Sequence, residues 1–109
     1  RIIYAESGNQ PLDGKIAVGN VVLNRVASPR FPNSVYEVIF QRNQFTPAAN
    51  GSINRTPSAE SVVAAKLCLD GANTAGSALY FVNPTVAPGS WASRNRPYVA
   101  TIGAHAFYG

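Results

Sequence analysis

Apolar residues recur along this chain at two spacings, and the change from one to the other divides it. Ile2-Ile3-Tyr4-Ala5 forms an apolar run broken at Gly8-Asn9-Gln10-Pro11, which reads as a short helix over 1–7 closed by Gly8. Asp13 then offers an N-cap, and Ile16, Gly19, Val22, Leu23 and Val26 follow at helical spacing to about Ala27. Val18 and Val21 add a second apolar side, so this helix is expected to be central, with Ser28-Pro29 as its stop. A short third helix follows Phe31-Pro32, capped by Asn33 or Ser34 and facing inward through Val35, Val38 and Ile39. Gln44-Phe45-Thr46 has the length of a very short strand, and residues 47–57 read as loop. Thr56-Pro57 opens a fourth helix that stops at Asp70-Gly71. Val62, Ala65, Cys68, Leu69 and Ala72 lie on one of its sides, Val63 and Leu67 on another, and an element apolar on two sides is expected to be well buried.

From Ala78 the spacing shortens. Ala78-Leu79-Tyr80-Phe81-Val82 is too short for a helix and reads as a strand ending at Asn83-Pro84. A loop rich in Pro, Gly, Ser, Asn and Arg carries the single tryptophan, Trp91. Tyr98 to Ile102 and His105 to Tyr108 then read as two strands around Gly103. Helices first and a small antiparallel sheet last is the α+β pattern.

Composition narrows this in only a few respects. With 109 residues, 46% apolar and 13% charged, residues 1–109 are expected to form a single domain with a modest core. No apolar run approaches the roughly 20 residues of a membrane span. The chain opens directly into Arg1-Ile2-Ile3, without a cap, signal peptide or linker, and is expected to be part of a longer protein. Cys68 is the single cysteine, so no intrachain disulfide and no cysteine-based metal site are expected, and its place on a helix suits a buried apolar residue. The net charge of +4 favours an anionic partner. The basic residues are nevertheless scattered, only Arg94-Asn95-Arg96 clusters, and a nucleic-acid partner is not expected.

Candidate chemistry is sparse. One His and one Cys do not make a zinc site, no phosphate loop is present, and no serine sits in a Gly-x-Ser-x-Gly setting. His105 reads first as a structural strand residue and second as a base. Glu6 stands out among five acidic residues because Ile, Ile, Tyr and Ala precede it. Desolvation there would raise its pKa and hold a proton near neutral pH; the plainer reading is a solvated glutamate at a helix end. Gln44, Tyr80, Asn83, Trp91 and Tyr98 supply the amide donors and aromatic faces that saccharide sites use. Core packing is the competing role for the aromatics, and the stronger one for Phe81 and Phe107, whereas Trp91 lies in a polar loop where packing has less claim.

The order of these segments resembles a known family. Tyr4-Ala5-Glu6-Ser7-Gly8-Asn9-Gln10-Pro11, followed by Gly14-Lys15-Ile16-Ala17-Val18-Gly19-Asn20-Val21-Val22-Leu23-Asn24-Arg25-Val26, is similar to the catalytic domain of the spore cortex-lytic enzymes, bacterial cell-wall hydrolases. The similarity continues through Phe31-Pro32, Val38-Ile39-Phe40, Gln44-Phe45, Ala78 to Pro84, Trp91 and Ile102 to Tyr108. It implies a lysozyme-like α+β fold and cleavage of the β-1,4 bond between N-acetylmuramic acid and N-acetylglucosamine in peptidoglycan, most typically in spore cortex during germination. The family's catalytic glutamate falls on Glu6. Many members carry a second acid four positions later, where this chain has Gln10.

That departure matters because retaining and inverting glycosidases normally use two carboxyls. One acid fits lytic transglycosylation, in which the same group is acid and then base and the product carries a 1,6-anhydro ring. A water-using muramidase or glucosaminidase and a non-catalytic wall-binding module are the alternatives. Asp13, Glu37 and Glu60 are the candidates for a second acid brought in by folding. The resemblance implies no cofactor, no metal, glycan strands as partner, a monomer acting outside the cytoplasm in cortex, coat or wall, and a wall-binding domain ahead of residue 1.

Overall fold

The computed structural model describes residues 1–109. Helix α1 (Ile2–Ser7) is followed by α2 (Leu12–Ala27), α3 (Val35–Ile39), α4 (Thr46–Asn50), a 3₁₀ turn (Ser52–Asn54) and α5 (Ala59–Leu69). Strand β1 (Tyr80–Val82), helix α6 (Trp91–Asn95) and strands β2 (Tyr98–Ile102) and β3 (His105–Tyr108) complete the chain. The three strands form one antiparallel sheet in the order β1-β3-β2. Helices first and a small antiparallel sheet last is the α+β arrangement the sequence implies.

Helix α2 is the axis of the molecule. Residues Gly14 to Val22 are all buried along it, because α1, α3 and α5 pack around it. Ile16, Ala17, Val18, Val21 and Val22 supply the apolar contacts, and Val38, Phe45, Ile53, Ala64, Ala75, Ala78 and Phe107 close the core around them. The helix begins two residues earlier than an Asp13 cap predicts. Pro11 is its N-cap, and Asp13 lies in the first turn, where its charge faces the positive end of the helix dipole.

The polar residues of α2 do as much as its apolar ones. The Asn20 amide donates to Ala72 O at 2.8 Å, while its oxygen accepts from the Thr74 N–H at 2.9 Å. Asn24 donates to Gly76 O and Ala78 O at 3.0 and 2.9 Å. Lys15, buried beside them, bonds Glu60 at 2.8 Å and Gln10 O at 2.6 Å. The two asparagines satisfy the irregular segment between α5 and β1 and aim it into the sheet.

The structure differs from the sequence expectation in four places. Gln44-Phe45-Thr46 is not a strand: Gln44 lies in a turn, Phe45 is the extended N-cap of α4, and Thr46 begins that helix. An isolated three-residue strand has no ladder partner here, and burial of Phe45 instead decides the local path. The segment 47–57 is accordingly helical over much of its length. Helix α5 begins at Ala59, not at Pro57, because the Ser58 hydroxyl accepts from the Ser61 N–H at 3.2 Å and makes the better cap. Nor is α5 well buried. Val62, Val63 and Leu69 are 39%, 47% and 74% exposed, and the buried face consists of Ser61, Ala64 and Cys68. Those small residues allow a close approach to α2, where a Cβ on Gly19 would lie 2.6 Å from Cys68 Sγ and 3.1 Å from Ile3 Cδ1.

In the sheet, Phe81 pairs directly with Phe107, and both turn toward the core, Phe107 completely and Phe81 in part. Alternation sends the next row outward. Tyr80, Tyr108 and Tyr98 lie opposite one another across all three strands. The loop that carries Trp91 includes helix α6, capped by the Ser90 hydroxyl on the Ser93 N–H. No helix is long and apolar enough to cross a membrane.

Candidate active site

Glu6 occupies the last turn of α1, one residue from the fully buried Ser7, whose hydroxyl donates to Ile3 O at 2.7 Å. Ile2 and Ile3 face the core, which turns Tyr4, Ala5 and Glu6 toward a cleft of about 420 Å³ completed by Gly8, Asn9 and Arg55. Glu6 is the one carboxylate lining it. The side chain is half-buried and makes no ion pair; the chain's ion pair is Lys15–Glu60. Burial pushes the Glu6 carboxyl above its ordinary value, as its apolar sequence context implies. Tyr4 and Ala5 line the cleft beside it.

None of the candidate second acids lines this cleft. Glu60 is held by Lys15, Glu37 accepts from the Ser34 hydroxyl at 3.1 Å in the cap of α3, and Asp13 is exposed in the first turn of α2. Gln10 does not line the cleft either. Its side-chain oxygen accepts from the Ala104 N–H at 2.8 Å, and its amide donates to Asn9 Oδ1 at 3.1 Å. It therefore ties the loop after Glu6 to the β2–β3 turn, which Gly103 makes possible with a φ of 58°.

The sequence-predicted binding residues fall into a second group. Around the guanidinium of Arg25 stand Phe31, Phe45 and Tyr80, with ring centroids at 4.7, 5.3 and 5.5 Å. Arg25 Nε–H donates to Leu79 O at 2.8 Å, and its terminal nitrogen donates to Gln44 Oε1 at 3.0 Å. Trp91 meets Tyr80 edge-on at 5.6 Å, and Tyr98 meets Tyr108 edge-on at 5.8 Å. Gln44, Tyr80 and Trp91 thus converge, with Tyr98 farther along the outer row of the sheet. Asn83 caps its own turn, its oxygen accepting from the Thr85 and Val86 N–H groups at 3.0 and 3.3 Å. None of these five residues lines the Glu6 cleft itself. The two groups are joined through α4, which begins two residues after Gln44 and packs against α1.

Arg25 and Arg55 are the residues that sequence reasoning missed. Arg25 is only 5% exposed and has no acidic partner, and burial pushes its pKa below the ordinary value. Burying a cation carries a penalty of several kcal/mol, offset here by charged hydrogen bonds and by cation–π contacts of roughly 1–2 kcal/mol each when desolvated. An arginine placed among Val21, Val22 and Val26 is a signal the sequence does contain. Arg55 carries no comparable signal: it enters the cleft from a distant loop, its guanidinium 5.3 Å from the Tyr4 ring and its Nε–H donating to Ser52 O at 3.3 Å. His105 is buried in β3 with its ring edge-on to Phe81 at 5.2 Å; its Nδ1 has no hydrogen-bond partner, and burial lowers its pKa. It packs as a structural strand residue. A separate apolar groove of about 350 Å³ beside Ile2 and Ile3 contains no carboxylate.

The molecule is thus an α+β domain with one desolvated, unpaired glutamate in an open cleft and an aromatic cluster elsewhere on its sheet. The chain belongs to the cell wall hydrolase family, which it matches over residues 9–108. It is 41% identical over 105 residues to a spore cortex-lytic enzyme of Bacillus cereus and 38% identical to one of Bacillus subtilis, covering 96% of this chain in each case. The chain spans about 40% and 34% of the length of those relatives. It also superposes on the catalytic domain of the germination-specific lytic transglycosylase SleB from Bacillus anthracis with a TM-score of 0.91 and 40% identity, covering 99% of this chain and 88% of that one.

Proposed function

We propose that this domain is a peptidoglycan lytic transglycosylase in which Glu6 acts alone as acid and then base. The observation that carries the reading is that Glu6 is the one carboxylate lining the cleft, unpaired and held by burial in its protonated form to higher pH than an ordinary glutamate. Protonated Glu6 gives its proton to the glycosidic oxygen as the bond from the muramoyl C1 breaks. The carboxylate then takes the proton of the same residue's C6 hydroxyl while O6 bonds to C1, closing the 1,6-anhydro ring. Water is not consumed, and Glu6 ends as it began. The similarity to spore cortex-lytic enzymes supports cortex peptidoglycan as the substrate and action outside the cytoplasm.

Gln44, Tyr80, Asn83, Trp91 and Tyr98 are the residues that hold the glycan. Tyr98 and Trp91 are 61% and 56% exposed, so their rings are open to the apolar faces of sugars. The free amide of Asn83 and that of Gln44 offer donors to sugar oxygens.

The test is digestion of purified cortex and vegetative sacculi, followed by mass spectrometry of the released fragments. Anhydro-ended fragments, one water lighter than reducing-end ones, are the expected products, and Glu6→Gln should release none. Reducing ends from the wild-type chain would replace this reading with a hydrolytic one. Retention of the sacculi without any fragments would identify a binding module.

A further inference from the structure

Gln44 is an exposed turn residue whose side chain makes a single hydrogen bond within the chain, and that bond fixes which way its amide faces. Arg25 can only donate, so the atom 3.0 Å from its guanidinium has to be the amide oxygen. The amide –NH2 group is then turned away from Arg25, with both protons free. Arg25 itself is not free to move. It is anchored by Leu79 O at 2.8 Å and boxed by Phe31, Phe45 and Tyr80. A buried cation without a carboxylate thus holds one neutral amide in a single orientation, and the same guanidinium packs on the ring of Tyr80, which Trp91 flanks at 5.6 Å.

A preset pair of N–H donors in a cluster that also presents aromatic rings suits one group above others: an acyl amide, whose carbonyl accepts while its methyl lies against a ring. Resting on the glycan substrate proposed above, we infer that Gln44, oriented by Arg25 as its positioning residue, recognises the N-acetyl carbonyl of a sugar seated against Tyr80 and Trp91. The orientation is what makes the site selective. A glutamine free to flip would present its oxygen half the time and repel the same carbonyl. Arg25 also explains why the neutral amide matters: a carboxylate at position 44 would pair with the guanidinium more strongly but would aim its second oxygen at the sugar.

The experiment compares cleavage of sacculi with their natural N-acetyl groups and of the same sacculi chemically N-deacetylated, using the wild-type chain, Gln44→Ala and Gln44→Glu. Dividing each variant's kcat/KM ratio by the wild-type ratio removes the effect of the charge that deacetylation adds, as in a double-mutant cycle. Gln44→Ala should lose about tenfold on the acetylated substrate, the effect of one good hydrogen bond. It should change little on the deacetylated one. Gln44→Glu should lose more on the acetylated substrate while melting no lower than the wild type, since Arg25 gains an ion pair. Equal losses of Gln44→Ala on both substrates would make Gln44 a structural residue and overturn the inference, as would full activity of Gln44→Glu. Failure of the wild-type chain to cleave either substrate would instead overturn the transglycosylase reading, and this inference with it.

Discussion

Gly19 is where the placement of Glu6 can be probed from a distance. Helices α1, α2 and α5 meet at that residue. A methyl group there would stand 2.6 Å from Cys68 Sγ and 3.1 Å from Ile3 Cδ1, both inside normal contact. Cys68 cannot easily swing aside, because its thiol is buried and lies 3.3 Å from Ile16 O. In an open helix Gly19→Ala would be stabilising by about 1 kcal/mol from backbone propensity. Overpacking a filled interior is destabilising by about 1–3 kcal/mol, and a contact this short belongs in the upper part of that range. The net expectation is a loss of about 1–2 kcal/mol, read as a lower urea midpoint at constant slope. In melting temperature this is roughly 5–15 °C for a domain of this size. Because Ile3 lies on the helix that carries Glu6, lytic activity should fall as well, even at temperatures where the variant is fully folded. Cys68→Ala removes the nearer obstacle, so the double variant Gly19→Ala/Cys68→Ala should be more stable than the sum of the single changes by about 1 kcal/mol. A Gly19→Ala protein as stable as the wild type, or strictly additive effects in the pair, would show that the close approach of α2 and α5 does not limit this site.

Two further outcomes follow from the site. The folded-state pKa of Glu6 lies above its unfolded value, so its contribution to stability is fully present below the unfolded pKa and is lost as pH rises through the folded one. Urea titrations across that window should show this loss in the wild type and not in Glu6→Gln, while the wild-type lytic rate should decline over the same pH range as the acid form disappears; coincident stability profiles for the two proteins would refute the desolvation of Glu6. Gln10→Glu keeps an oxygen for the Ala104 N–H and lies outside the cleft lining, so it should fold normally and still release anhydro fragments; a switch to reducing-end products would show that a second acid at position 10 reaches the reaction.

What the sequence determined by itself is what short-range physics controls. The 3.6-residue spacing of Ile16, Gly19, Val22, Leu23 and Val26 specifies α2, and the aromatic runs before Asn83 and after Gly103 specify strands, because each pattern works within a turn or two of backbone. The apolar residues before Glu6 signalled a desolvated acid for the same reason. Elements whose form depends on distant partners were not legible. Gln44-Phe45-Thr46 was misread as a strand because only the core decides where Phe45 is buried, and α5 was misread as doubly buried because only the small residues facing α2 determine which side packs. Tertiary structure alone showed that Asp13, Glu37 and Glu60 stay away from the cleft, that Gln10 is committed to the β2–β3 turn, and that Arg55 enters from another loop. It also gathered Arg25, Gln44 and Tyr80, residues 19 and more positions apart, into one cluster. Periodicity encodes which face of an element is apolar, whereas the meeting of single polar groups across the fold depends on how those faces dock.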